Sequence, residues 1–248
     1  MYCENRREYS NALGREMAFR VYGRGGKPVL ALPCRCGGCE EWERHGMTVT
    51  LGDALEREQI QLFCVDTLDA ETVADRCAPP EERVRCYEQW FCWLTEELTP
   101  CIRAINGGTQ DVLAVGFDVG AYHAANLFFR RPDLFDSLIA LSGVYDTDDF
   151  YGGYMDEVVY ANDPCVSLSN MPLDHPYIRL YNRRRAVFCT GRGAGEQAAL
   201  EGTRRLDGIL KSRGIRAWID YWGGDVGHEW FWWKKQLRYF LPWAAGIR

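Results

Sequence analysis

The sequence predicts an α/β fold, with a mostly parallel sheet of about eight strands flanked by helices on both faces. Two features carry that expectation. The central strand-like segments, such as VLALP, QLFCVD, VLAVGF, LIALSG and AVFCTG, are short unbroken apolar runs. Strands buried on both faces of a parallel sheet read this way. Helical patterns alternate with these runs, which is the order that βαβ crossovers require.

In chain order, the expected strands are Met17–Tyr22, Pro28–Pro33, Gln61–Thr67, Asp111–Phe117, Ser137–Ser142, Ala186–Thr190 and Ala217–Trp222. From Glu81 to Ile105, apolar residues recur at Val84, Tyr87, Phe91, Leu94, Leu98 and Ile102, forming one stripe on one helical face. Helices are also expected over 121–130, over Glu196–Arg213 with a charged outer face, and over His228–Trp243. No repeat, low-complexity tract or Pro/Gly/Ser linker interrupts the pattern, so residues 1–248 read as one domain. The weakly patterned stretch 145–184 is expected to form a small lid-like excursion at the sheet's carboxyl edge, where ligands bind.

Composition narrows the partners. A formal net charge of −6, with no basic run longer than Arg183–Arg185, excludes a phosphate-backbone footprint and so nucleic acid. No apolar stretch of about 18 residues exists and the N-terminus is charged from Glu4, so neither a membrane span nor a signal peptide is expected and the location reads as cytoplasmic. Eleven Cys cannot all pair within one chain, and several lie inside apolar runs, which suits reduced thiols. Cys34, Cys36 and Cys39 could ligate zinc or an iron–sulfur cluster, but no second Cys/His pair accompanies them. The expectation is therefore no metal and no cofactor. A small-molecule ligand or substrate is the expected partner, and a homo-oligomer is compatible with the composition.

Three motifs carry chemistry. Gly116-Phe117-Asp118-Val119-Gly120 follows a strand and opens a helix, the context of a nucleophile elbow. Trp222-Gly-Gly-Asp225-Val-Gly227-His228 follows the last strand and precedes the last helix, a position suited to a general base. His123 reads as packing or support, and His45 and His175 have no supporting pattern. Pro33–Gly38 has the small residues of an oxyanion loop, with the backbone N–H groups of Cys36 and Val119 as its donors.

On these segments, with REYSNALGREMAFRVYG, GFDVGAYHAANLFFRRPDLFDSLIALSGVYD and WGGDVGHEWFWW most telling, the chain resembles the Putative esterase family of α/β-hydrolases, which includes esterase D-like and feruloyl-esterase-like proteins. The resemblance implies an α/β-hydrolase fold and hydrolase chemistry, with two departures. The family's elbow serine falls at Asp118, and its acid falls at Ala194, leaving Glu196 as the substitute and Asp146 or Asp148 as alternatives. An aspartate elbow excludes acyl transfer by the serine route. Either the site is weakly active or non-catalytic, or Asp118 attacks saturated carbon with His228 activating water, as in dehalogenases and epoxide hydrolases. Against that second reading, the dehalogenases' Trp beside the nucleophile is Val119 here. Arg35 and Arg192 lie on loops at the same edge and could meet an anion, although a solvated surface role suits both.

Overall fold

The computed structural model describes residues 2–108 and 110–247. Eight strands form one sheet in the order β1-β2-β4-β3-β5-β6-β7-β8. They are β1 Cys3–Ser10, β2 Arg15–Tyr22, β3 Lys27–Leu32, β4 Ile60–Val65, β5 Val112–Phe117, β6 Phe135–Leu141, β7 Arg185–Thr190 and β8 Trp218–Tyr221. β1 and β2 pair antiparallel, β2 pairs antiparallel with β4, and every remaining neighbour is parallel. The sequence pattern anticipates seven of these strands. It omits β1, whose charged CENRREYS is mostly exposed and carries no apolar run.

Alternation of side chains divides the core between the two faces of the sheet. Leu30, Phe63, Ala114 and Leu138 face one layer, which holds helices α4 (Pro80–Cys92), α5 (Thr99–Asn106) and α6 (Val119–Arg130). Ala31, Leu62, Leu113 and Ile139 face the other, which holds α12 (Trp230–Ala245) and the short helices α1 Glu41–Arg44, α2 Met47–Thr50 and α3 Gly52–Glu56. α4 and α5 form the expected Glu81–Ile105 helix, joined through a π-helical stretch at Trp93–Leu98. Residues 145–184 fold into α7 (Asp148–Tyr151), α8 (Glu157–Asn162), α9 (Pro164–Ser169) and α10 (Pro176–Tyr181). This segment packs along α6, where the Tyr122 hydroxyl donates to the Asn162 carbonyl at 2.7 Å. α11 (Gln197–Ser212) precedes β8. No described helix is long and apolar enough to cross a membrane.

After β3 the chain moves outward to β4, then returns to the other side of β3 to build β5. The strand order reverses between β3 and β5, so the loops at the carboxyl ends of these two strands run in opposite directions from there. Arg35 follows β3 and Asp118 follows β5, so both stand at that switch point.

Candidate functional site

Asp118 occupies the turn from β5 into α6 with φ 55° and ψ −125°. This sparsely populated conformation costs a non-glycine residue about 1–3 kcal/mol, so the surrounding structure must enforce it. Two glycines do so by letting backbones meet. A Cβ on Gly116 would sit 1.9 Å from the Gly120 carbonyl oxygen, and one on Gly120 would sit 2.3 Å from that of Pro33. The side chain is thereby aimed out of the sheet edge, partly open to solvent.

Two other loops converge on it. His228 follows β8 and places Nε2 3.5 Å from Asp118 Oδ1. Its backbone N–H donates to the Ala194 carbonyl at 2.9 Å, which ties the two loops together. Glu196 follows β7, is buried, and brings Oε1 to 3.7 Å from His228 Nδ1. That distance is one of ion pairing, longer than a hydrogen bond. Glu196 is held from behind, since Oε1 accepts from Ser142 Oγ at 2.6 Å and Oε2 from Thr190 Oγ1 at 2.8 Å. Trp233 Nε1 in turn donates to Ser142 Oγ at 3.0 Å, linking α12 to the acid. Asp118, His228 and Glu196 therefore lie together, with His228 between the two carboxylates. Asp146 and Asp148 do not join them; their carboxylates lie 2.8 and 3.7 Å from Arg205.

The oxyanion loop differs from expectation in its donor. The Cys36 N–H donates to Asp69 Oδ2 at 2.9 Å, so this donor is already taken. The N–H of the preceding residue, Arg35, donates to Asp118 Oδ2 at 3.2 Å. The Val119 N–H points to the same carboxylate. Asp69 lies deep in the fold, where its Oδ1 is 2.9 Å from His123 Nε2, and His123 Nδ1 is 3.0 Å from the Tyr87 hydroxyl. His123 thus supports the loop from behind, and nothing in the sequence around Asp69 announces that contact. The Arg35 and Arg192 side chains are exposed. His45 stacks on Trp230, and His175 caps α10.

The charges are mutually stabilising. Burial pushes the Asp118 carboxyl up, but the His228 imidazole and the Arg35 and Val119 N–H groups outweigh it and hold the carboxyl below its ordinary value. Burial likewise opposes ionisation of Glu196, and His228, Ser142 and Thr190 overcome it. For His228, burial acts downward, yet the two carboxylates raise the imidazole from 6.5 to about 9. His228 is thus an imidazolium at neutral pH. Its pairing contributes stability in full below its ordinary value and loses it as pH rises through about 9. The carboxylates contribute above their ordinary values and lose it as pH falls through their lowered ones. The His228 Cε1–H resonance is expected to titrate near 9, and Asp118→Asn to bring the midpoint down by about a unit or more. A native midpoint at or below 6.5 would contradict the paired arrangement.

Among the described residues, one group of side chains comes near to metal-binding geometry. Cys39, Glu40 and Asp66 bring their ligand atoms within 4.8 Å of one another. Three donors fall short of the four of a closed zinc site, and neither Cys34 nor Cys36 belongs to the group.

Comparison with solved structures finds the same overall fold. A ferulic acid esterase superposes with a TM-score of 0.77 at 15% identity, covering 100% of this chain and 99% of the other. MPT51 of Mycobacterium tuberculosis gives 0.76 at 19% identity with 100% coverage of both chains. An S-formylglutathione hydrolase from Agrobacterium tumefaciens gives 0.72 at 15% identity, covering 98% and 94%. At such identities the likeness establishes the fold, which is that of the α/β-hydrolases. No curated protein sequence matches the chain. The family model described as Putative esterase matches residues 10–244, nearly the whole sheet and every loop of the site, and the chain belongs to that family.

Proposed function

We propose that the protein is an esterase-family α/β-hydrolase whose site binds small molecules without cleaving esters by acyl transfer. One observation carries this reading: the carboxylate of Asp118 itself accepts the Arg35 N–H. In acyl transfer such a donor stabilises the oxyanion that forms in the transition state. Here a permanent negative charge already holds it, and an incoming carbonyl oxygen would have to displace that charge. The imidazolium state of His228 supports the same conclusion, because a protonated imidazole cannot take a proton from a nucleophile.

A second reading rests on the two oxygens of Asp118 facing different partners. Oδ1 faces His228 while Oδ2 accepts the Arg35 N–H. Attack of Oδ1 on a saturated carbon would form a C–O bond and expel the leaving group with its electron pair. The resulting alkyl ester would carry no charge, so His228 would lose one of its two carboxylate partners and its affinity for a proton would fall. The neutral imidazole could then activate water.

One experiment separates the two readings. The native chain and a His228→Ala variant are incubated with p-nitrophenyl acetate and with a small bromoalkane, and nitrophenol release and intact mass are followed. The expected result is no ester turnover above the variant and no adduct on either protein. Ester turnover that disappears with His228 would sink the proposal. An alkyl adduct on Asp118 of the variant would transfer the assignment to the second reading.

A further inference from the structure

α12 turns one stripe toward solvent: Phe231, Lys235, Arg238, Tyr239, Pro242 and Trp243. Amphipathic helices place apolar residues inward, and α12 does so with Trp233, Leu237 and Phe240. Its outer stripe is aromatic as well. Phe231 is 56% exposed, Tyr239 57% and Trp243 42%. Trp218 and Trp222, on and beside the edge strand β8, extend this surface, with ring centroids 5.8 and 6.0 Å from Tyr239.

The charge on α12 itself has one sign, and the carboxylate at the β8 edge of the surface, Asp220, accepts from Trp222 Nε1 at 3.3 Å. α12 carries Lys234, Lys235 and Arg238 and no Asp or Glu, in a chain whose net charge is −6. Among the described residues, none of the three forms an ion pair. Lys235 Nζ instead lies over the Phe231 and Trp232 rings at 4.1 and 4.5 Å. The exposed Arg185 stands beside Trp243 and donates to its carbonyl at 3.1 Å. Arg238 borders a surface recess with Asp53 and Glu56, and the half-buried Lys234 lies toward Gly46, so the unopposed positive charge of the outer face rests on Lys235 and Arg185.

From this combination of exposed aromatic rings and unopposed cations we infer that the outer face of α12 docks on an anionic lipid surface. Trp, Tyr and Phe settle at the boundary of headgroups and acyl chains, where ring and polar edge are both accommodated. Lys and Arg beside them meet the lipid phosphates. A second copy of the chain fits the same face poorly, because two-fold pairing would oppose two cationic stripes with no carboxylate on either helix. Docking of this kind needs no spanning segment. His228 lies two residues before α12, so the docked helix would hold the site mouth beside the bilayer. The inference is independent of the role given to Asp118.

The test is sedimentation of the whole chain with phosphatidylcholine vesicles, with and without phosphatidylserine. Binding is expected only to vesicles containing phosphatidylserine, weakening as salt is added. Lys235→Ala should lower partitioning about fivefold. Phe231→Ala with Trp243→Ala should lower it at least about tenfold. Because Lys235 is exposed, its substitution should leave the melting temperature unchanged, which separates lost docking from lost folding. Equal binding to both vesicle types, or variants that bind like the native chain, would overturn the inference. So would a dimer in solution that the same substitutions dissociate, since the occupant would then be a second copy.

Discussion

Asp118→Ser is expected to raise p-nitrophenyl acetate hydrolysis about 10²–10³-fold above the native chain, the range associated with an oxyanion donor made available. The substitution changes three things together. It frees the Arg35 N–H for a developing oxyanion, because a serine hydroxyl does not hold it as a carboxylate does. It supplies a hydroxyl whose attack yields an ordinary acyl-enzyme. It also removes one of the two negative charges that raise His228, so the imidazole moves down from about 9 and is available as a base near neutral pH. Glu196, still braced by Ser142 and Thr190, remains to orient Nδ1. The activity should therefore rise with pH through a single ionisation below 9. It should vanish in Asp118→Ser combined with His228→Ala. If Asp118→Ser were no faster than Asp118→Ala, the arrangement of Arg35, Val119 and His228 would not be one that supports acyl transfer.

Gly116→Ala should be the most damaging small substitution in the chain. The added Cβ would lie 1.9 Å from the Gly120 oxygen and 2.7 Å from the Ala121 nitrogen. Both are backbone atoms, so no side-chain rotation relieves the contact, and α6 would have to lift from β5. A cost of at least about 3 kcal/mol is expected, equivalent to a melting temperature roughly 6–12 °C lower for a chain of this size. Gly208→Ala is the matched control. Its Cβ meets nothing within 4 Å, and the position is in the interior of α11. Alanine there should stabilise by about 0.5–1 kcal/mol, because glycine is the poorer helix former. Equal melting temperatures for the two variants would refute the close approach of strand and helix.

The sequence makes the parallel strands legible because each is buried on both faces, and it obscures β1 because only its register with β2 makes it a strand. In 145–184 the helices are too short for periodicity, yet their starts are written locally. The side chains of Asp156 and Asp163 accept from helix N–H groups, and Asp163 and His175 each precede a proline at the first helical position. Asp118 and His228 stand out through the glycines and strand ends around them. Glu196 is visible only as a carboxylate near the right loop. Its braces, Ser142 and Thr190, come from different strands, and only the sheet brings them together. The exchange of Cys36 for Arg35 depends on a carboxylate 33 residues away, which a local motif does not encode.

The conformation of Asp118 makes position 118 a socket. The φ of 55° is imposed by Gly116, Gly120 and the strand and helix they join, so it does not depend on what the side chain can do. Any residue that accepts the strain inherits the same aim, toward His228 on one side and the two backbone donors on the other. The reactivity of the protein can therefore be rewritten at this single position while the scaffold stays untouched. Evolution and the engineer have the same one-residue handle, and the folding energy that keeps the turn tense is spent whether or not catalysis uses it.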